Sequence, residues 1–196
     1  MARYLGPKLK RCRSLEIEPS VVGLHKSSQR QPKRSNRKIS EYGMQLREKQ
    51  KAKFIYGVQE RQFRKLFSRA ERMRGQTGEN LLKLLELRFD NIVYRMGFAN
   101  TRSEARQMVV HGHFLLNGKK ADIPSMTLKP GDVIEVKEKS RKNGKFKQIM
   151  ESHSGLTQSW VSVNLSQYRG EVVEEPSRNA IDFPIEEHLI VELYSK

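Results

Sequence analysis

The sequence predicts an α+β fold in which a helical domain and a small helix-and-sheet unit follow an extended basic N-terminal arm. Residues 1–40 show no sustained apolar period, whereas apolar residues recur at helical spacing from residue 41 onward. Turn dipeptides and short alternating segments follow in residues 87–147, as is typical of small antiparallel sheets. With 196 residues and 36% hydrophobic content, the chain can close two small cores.

The charge is uneven along the chain. The formal net charge is +16, with +15 in residues 1–75, +6 in residues 76–150 and −5 in residues 151–196. A basic front half with an acidic tail predicts a polyphosphate partner on one side. An anionic membrane is the competing partner, but the sequence has no apolar run near 18 residues and no lipidation motif, so we expect no membrane association.

The predicted arm, residues 1–40, mixes Lys, Arg, Ser, Gln and Pro and cannot bury enough apolar surface to fold alone. A floppy tail or a targeting signal is one interpretation, and a segment that becomes ordered on RNA is the favoured one. Its candidate RNA-binding residues are Arg3, Lys8, Lys10, Arg11, Arg37 and Lys38. Cys12 has no Cys or His neighbour at metal-ligand spacing, so we expect a bystander and no metal site.

The helical domain is predicted to span residues 41–86 and to be completed by residues 176–196. In residues 58–73, Phe63, Phe67 and Ala70 lie on one helical stripe, and cations occupy the opposite side. These cations can meet phosphates or can form a solvated face, and the scarcity of acids favours phosphates. The candidate RNA-binding residues here are Arg47, Lys49, Lys51, Lys53, Arg61, Arg64, Lys65 and Arg72. The segment HLIVELY is predicted to be a helix, with a strand as the alternative.

The unit at residues 87–147 carries the sharpest local signals. TRSE, residues 101–104, is a capping box that starts a helix, and Gly112 is placed to end it. Asn117-Gly118 predicts a tight hairpin turn, and VIEV predicts a strand. Packing is expected to leave one edge of the helix open. The candidate RNA-binding residues are Arg102, Arg106, His111, His113, Lys119 and Lys120. Residues 148–175 are interpreted as a connection that contains the strand WVSVNL.

Catalysis and metal binding find little support in the sequence. His111 and His113 form a lone HxH pair without further ligands at suitable spacing, which favours structural or RNA-facing roles. Asp90 has no second acid or nucleophile near it, so a helix-start or charge-pairing role is expected. We predict neither a catalytic residue nor a cofactor.

Several long blocks resemble one family, protein four of the small ribosomal subunit, bacterial type. They are MARYLGPKLK, YGMQLREKQ through YGVQERQF, GENLLKLLELRFDNIVYRMGF with TRSEARQMV, and EEHLIVELYSK. The resemblance implies an S-four-type RNA-binding domain (alpha-L-like) at residues 87–147. It also implies a non-enzymatic primary binder of small-subunit ribosomal RNA that nucleates assembly of the subunit body and contributes to translational accuracy.

The partners that the resemblance implies are the 5′ domain of that RNA at a multi-helix junction, ribosomal protein five, and messenger RNA where it enters the subunit. A place on the cytoplasmic ribosome, or in an organelle, and no homo-oligomer are expected. Many members hold zinc with four cysteines in the arm, but this chain has only Cys12, so we predict a zinc-free variant. The alternatives are an RNA-modifying enzyme such as a pseudouridine synthase, and a free regulatory RNA-binding factor.

Overall fold

The computed structural model describes residues 4–26, 30, 39–144, 146, 148–149 and 158–195. Contacts divide the chain into two compact units, Met1–Leu82 with Phe183–Lys196, and Lys83–Asp182. The predicted subdivision at residues 40, 86, 147 and 175 stays a prediction. None of the helices within the described residues combines the length and the apolar character that crossing a membrane requires.

Along the chain, the described residues form helices first, then a mixture of helices and short strands, and finally one more helix. The helices are α1 (Lys8–Leu15), α2 (Glu41–Ile55), α3 (Glu60–Glu71), α4 (Thr77–Glu86), α5 (Phe89–Arg95), α6 (Arg102–Val110), α7 (Glu138–Arg141) and α8 (Glu187–Tyr194). The strands are β1 (Phe114–Leu116), β2 (Lys119–Ala121), β3 (Val133–Val136), β4 (Val161–Asn164) and β5 (Arg169–Val172). Short 3₁₀ turns lie at Pro19–Val22 and Arg178–Ala180.

The first unit includes a helical segment within the predicted arm. We expected an extended chain there, but residues 8–15 are helical because Cys12 and Leu15 point inward and are almost fully buried, 1% and 4% exposed. Ile17 continues this buried set just after the helix. Burial of these apolar side chains stabilises the helix, although the segment lacks a sustained apolar period.

The C-terminal helix α8 packs on α2, as the helical interpretation of HLIVELY predicted. The amide of the fully buried Gln45 donates to Glu41 of α2 and to Glu192 of α8, at 3.1 Å in each case. The Tyr194 ring stacks on Phe67 with centroids 4.4 Å apart. The last residues of the chain therefore close the core that α2 and α3 begin.

The second unit packs α5 and α6 against a five-stranded antiparallel sheet of order β2-β1-β3-β5-β4. The strand predicted in WVSVNL is present as β4, but the sequence did not predict that β4 and β5 complete the same sheet. Gly170 of β5 leaves room for Met96, since a Cβ there would lie 2.6 Å from the methionine sulfur. Phe89, Phe114 and Trp160 fill the core, and each is at most 1% exposed.

A buried ion pair lies beside α5. Arg95 donates to both oxygens of the Glu86 carboxylate, at 2.9 and 2.7 Å, and both side chains are less than 5% exposed. The guanidinium also donates to the more exposed Asp182, at 2.9 Å. Burial alone would lower the pKa of Arg95, but the charges and hydrogen bonds of Glu86 and Asp182 outweigh it and raise that pKa. The pair therefore stays charged inside the unit.

Candidate nucleic-acid interface

The outer face of α3 is a cationic groove. Phe63, Phe67 and Ala70 are buried, as the apolar stripe predicted, and the opposite side of the helix is exposed. We call this groove the α3 surface; it is lined by Glu60, Arg61, Arg64, Lys65, Ser68, Arg69, Arg72 and Met73. Within the part of the chain that the structure describes, the side chains of Arg61, Arg64, Lys65 and Arg72 form no hydrogen bond or ion pair. The α3 surface can therefore offer its charges to phosphates.

Arg69 also lines this groove, although it is absent from the set chosen from the sequence. It stands four residues after Lys65 and so on the same side of the helix, a spacing that was sufficient to find it. Glu60, the first residue of α3, is the acidic residue among the described residues that line the groove.

The four candidate cations of α2 are partly buried and paired with acids of the same unit. Lys49 and Lys53 both contact Glu60, at 3.1 and 2.6 Å, while Lys51 contacts Glu48 at 2.5 Å. Arg47 lies 2.7 Å from Glu16. Their contact with RNA stays a prediction. A pair with a half-exposed carboxylate, such as that of Glu16 or Glu60, is worth at most about 1 kcal/mol, so a phosphate could replace that carboxylate, but with less gain than on the α3 surface.

Glu60 is a meeting point of charges at the edge of the α3 surface. It accepts hydrogen bonds from Lys49, Lys53 and the hydroxyl of Tyr194, the last at 2.9 Å. Partial burial alone would raise the pKa of Glu60, but these hydrogen bonds, led by the one from Lys53, lower it from 4.5 to about 2. Glu60 therefore remains a carboxylate at any physiological pH.

The candidate residues of the arm divide into two groups. Lys8, Lys10 and Arg11 lie on α1, where Lys10 is exposed and Arg11 donates to the amide oxygen of Gln50 at 3.2 Å. The remaining candidates, Arg3, Arg37 and Lys38, lie outside the described residues. The RNA-binding role of all six stays a prediction.

Arg102 differs from its expected position. We expected an open side chain, but Arg102 is only 8% exposed. Its Nε donates to Asn91 Oδ1 at 2.8 Å, and its guanidinium lies 4.4 Å from the centre of the Tyr94 ring. The prediction that packing leaves Arg102 open is wrong, because α5 presents an amide and an aromatic face that bind its guanidinium. The predicted cap by Thr101 is confirmed, since its hydroxyl accepts from the Glu104 amide at 3.1 Å, whereas the Glu104 carboxylate reaches back to the amide of Asn100, at 2.9 Å, and not to that of Thr101.

Arg106 is partly exposed and is held by Asp90. The Asp90 carboxylate accepts two hydrogen bonds from Arg88, at 3.0 and 2.7 Å, and one from Arg106 at 2.8 Å. Asp90 is buried in the first turn of α5, which confirms its predicted charge-pairing role. With 21% of its side chain exposed, Arg106 can reach an external anion only at the rim of this cluster.

The hairpin between β1 and β2 presents Lys119 and Lys120 to solvent. Asn117 and Gly118 both have positive φ angles, 50° and 76°, as the predicted Asn-Gly turn requires. The Asn117 side chain donates to Asp132 at 2.9 Å and accepts from the Val133 amide at 2.8 Å. These bonds fix the turn on β3 and so fix the direction of the two lysines.

The two histidines lie just after α6, on either side of Gly112, whose φ of 69° ends the helix as predicted. His111 is exposed, whereas His113 is half-buried and lies 2.9 Å from the hydroxyl of Ser140. The two rings are 6.0 Å apart. Of the candidate residues in this unit, Lys119, Lys120 and His111 are therefore exposed, Arg106 and His113 are partly buried, and Arg102 is packed inside.

Comparisons with known proteins agree on one family. Residues 3–86 match the family described as Ribosomal protein S4/S9 N-terminal domain, and residues 87–134 match the S4 domain. The chain is 56% identical over its whole length to all of the small ribosomal subunit protein uS4 of Lachnospira eligens. The chain belongs to the uS4 family. The uS4 proteins of Agathobacter rectalis and Clostridioides difficile are 52% and 51% identical, again over both full lengths.

The two family matches together cover residues of both units. The first family match, residues 3–86, includes the α3 surface, and the second, residues 87–134, includes α6 and the hairpin lysines. The family match ends before β4 and β5, although these strands belong to the same sheet. The predicted resemblance and the predicted α+β fold class are thus confirmed.

Proposed function

We propose that this chain is a structural, non-enzymatic constituent of the small ribosomal subunit that binds the RNA of that subunit. The proposal depends on one observation above the rest, the exposed cations of the α3 surface, in a member of the uS4 family. Each cation that neutralises a phosphate releases condensed counterions, which makes binding tight and dependent on salt. The alternative of an RNA-modifying enzyme loses its support, since the relatives that match this chain over its whole length are small ribosomal subunit proteins of the uS4 family.

Three finer proposals rest on the family resemblance. The first is that the chain nucleates assembly of the subunit body at a multi-helix junction of the RNA 5′ domain. The second is that it contacts ribosomal protein five and the messenger RNA where this enters the subunit, and so affects accuracy. The third is that it works on the ribosome in the cytoplasm.

The test is a titration of the full chain against a bacterial small-subunit RNA fragment that contains the 5′ domain, repeated at several salt concentrations. We expect binding at physiological salt to be much tighter for this fragment than for an unrelated duplex of equal length. Equal affinity for the two RNAs would contradict the proposal.

Two matched triple variants then assign the interface. Arg61, Arg64 and Lys65 are exposed on the α3 surface, whereas Lys49, Lys51 and Lys53 are paired with Glu48 and Glu60. Replacing the first three with Ala should lower the salt slope by about two to three, because each lost phosphate contact removes nearly one unit. Replacing the paired lysines should lower it less. The reverse order would place the interface on α2.

A further inference from the structure

Glu60 belongs to a cluster of charges in which the acid, and not the cations, faces solvent. It lies at the start of α3 and contacts Lys49 and Lys53 of α2 and Tyr194 of α8. The side chains of Lys49 and Lys53 are 13% and 15% exposed, whereas that of Glu60 is 48% exposed. RNA that approaches this cluster from solvent therefore meets mainly a carboxylate.

The contacts within the cluster hold both ammonium groups on Glu60. One oxygen of the carboxylate accepts from Lys53 at 2.6 Å, and the other accepts from Lys49 at 3.1 Å and from the Tyr194 hydroxyl at 2.9 Å. The Lys49 ammonium also lies 5.3 Å from the centre of the Tyr194 ring, a distance at which a cation is attracted to an aromatic face. Because the pKa of Glu60 is about 2, the carboxylate keeps its charge at neutral pH.

The charge of Glu60 acts on one end of the α3 surface. Glu60 stands four residues before Arg64, so the two side chains are neighbours on the same side of the helix. A phosphate at Arg64 would therefore be repelled by Glu60. Arg72 stands about 18 Å further along the helix axis, and physiological salt largely screens charges that are more than about 8 Å apart. Glu60 thus disfavours phosphates at the first turn of α3 and leaves those near Arg72 unaffected.

Repulsion at one end of a cationic surface distinguishes between RNAs. An unrelated duplex is bound through its phosphates alone and can slide along the cations into many positions. An RNA of matching shape takes the one position that its fold dictates. A charge that makes some of the other positions unfavourable therefore weakens binding of the duplex more than binding of the matching RNA, which raises specificity.

We propose that Glu60 is a specificity-determining residue, which excludes phosphates from the first turn of α3 and keeps Lys49 and Lys53 from binding RNA nonspecifically. This role rests on the proposed RNA-binding function and adds to the α3 surface a carboxylate that limits where the RNA lies. In the alternative role, Glu60 would hold the two lysines ready for a phosphate of the correct RNA. Their burial disfavours this alternative, which predicts the opposite result in the test below.

Glu60→Gln removes the charge and keeps the shape of the side chain. The full chain is titrated against the 5′-domain RNA fragment and the unrelated duplex at several salt concentrations. We expect the variant to bind the duplex about fivefold more tightly at about 0.15 M salt, with a salt slope larger by about one, because one phosphate gained by the freed lysines releases nearly one counterion. Binding of the 5′-domain fragment should change much less, so the preference for that fragment falls.

Two control variants separate this effect from net charge and from folding. Glu71→Gln removes one charge from the same helix, and Glu71 is exposed and lies outside the described lining of the groove. It should change the affinities for both RNAs by the same small factor. Tyr194→Phe removes a hydrogen bond to Glu60 but keeps the carboxylate and the ring that stacks on Phe67, so it should retain the preference of the wild type. Circular dichroism checks the fold of every variant.

Lys53→Met changes the same cluster in the opposite direction, so the test does not depend on Glu60→Gln alone. It removes the closer of the two lysines and leaves the exposed carboxylate less compensated. Affinity for the duplex should fall more than affinity for the 5′-domain fragment, and the preference should rise. Lys83→Met is the matched control, because Lys83 likewise pairs with a half-exposed carboxylate, that of Glu175 at 2.8 Å, and it should leave the preference unchanged.

Four results would overturn this role of Glu60. An equal gain for both RNAs in Glu60→Gln, as in Glu71→Gln, would show an effect of net charge alone. Weaker binding of the 5′-domain fragment by Glu60→Gln would show that Glu60 instead holds its lysines for a phosphate. Loss of preference in Tyr194→Phe would show a structural role, and an unchanged preference in Lys53→Met would show that the carboxylate does not repel RNA. Failure of the RNA-binding function itself is distinguishable, because the wild type would then not prefer the 5′-domain fragment to the unrelated duplex.

Discussion

Replacing Glu86 with Gln should test how far the second unit depends on its buried ion pair. Glu86 is 1% exposed and accepts two hydrogen bonds from Arg95 and one from Asn91, the last at 2.6 Å. Gln keeps the shape but removes the charge, and its amide group faces donors of Arg95. Removing one partner of a buried pair costs about 3–5 kcal/mol, and Asp182 still contacts Arg95, so we expect about 3 kcal/mol.

The assay is urea unfolding followed by the fluorescence of Trp160. This residue is the chain's single tryptophan and is 1% exposed in the core of the second unit, so its emission reports that unit. A loss of about 3 kcal/mol with a slope of about 2 kcal/mol per molar urea moves the midpoint down by about 1.5 M.

Asp182→Asn is the matched control, because it changes the other carboxylate bound to the same guanidinium. The Asp182 side chain is 55% exposed, so its pair with Arg95 is screened by solvent and its loss should cost at most about 1 kcal/mol. Equal destabilisation by Glu86→Gln and Asp182→Asn would refute the reasoning, since burial would then not determine the cost.

Three further predictions concern other parts of the chain. The pKa of Glu60 is about 2 when folded and 4.5 ordinarily, so Glu60 stabilises the fold above pH 4.5 and loses this effect as pH falls towards 2. Thermal unfolding of Glu60→Gln followed by circular dichroism should therefore differ from the wild type at neutral pH and converge with it near pH 2; a constant difference would contradict this. Asn117→Asp should weaken the hairpin, because the new carboxylate would face the carboxylate of Asp132. Adding Asp132→Asn should restore stability against urea, because it returns an amide donor to this pair. If the losses of the two single variants simply added in the double variant, the pairing would be disproved. Burial raises the pKa of the Cys12 thiol, so a thiol reagent should label Cys12 much more slowly in the native chain than in urea, and equal rates would show that α1 is not docked.

The sequence predicted the elements whose signals are local. The helix start capped by Thr101, the left-handed Gly112 and the Asn117-Gly118 turn each depend on a few neighbouring residues, and all three are confirmed. The apolar stripe of α3 likewise predicted which side faces out. The sequence did not predict the side-chain positions that depend on contacts with residues distant in the chain. Arg102 stands on the predicted helix, but its burial depends on Asn91 and Tyr94, which no spacing rule connects to it.

For the same reason, the sequence did not predict the ion pairs of the α2 cations or the order of the strands in the sheet. The sequence shows that Lys49 and Lys53 are basic, but their common contact with Glu60 arises only when α3 packs beside α2. β3 pairs with β5 across more than thirty intervening positions, and the alternation in WVSVNL predicts a strand without naming its neighbour. Pairing of this kind depends on the free energy of the whole sheet.

The insertion of β5 between β3 and β4 limits how this module can be cut out of the chain. The S4 domain match ends at residue 134, yet β5 covers the side of β3 that β1 leaves open, and the segment before β4 supplies Trp160 to the core. A fragment ending at residue 147 would expose the amides and carbonyls of β3 as a free edge, which invites pairing with other chains. Transplanting the RNA-binding unit into another protein would thus require residues up to at least 172, or a surface substitution that protects β3.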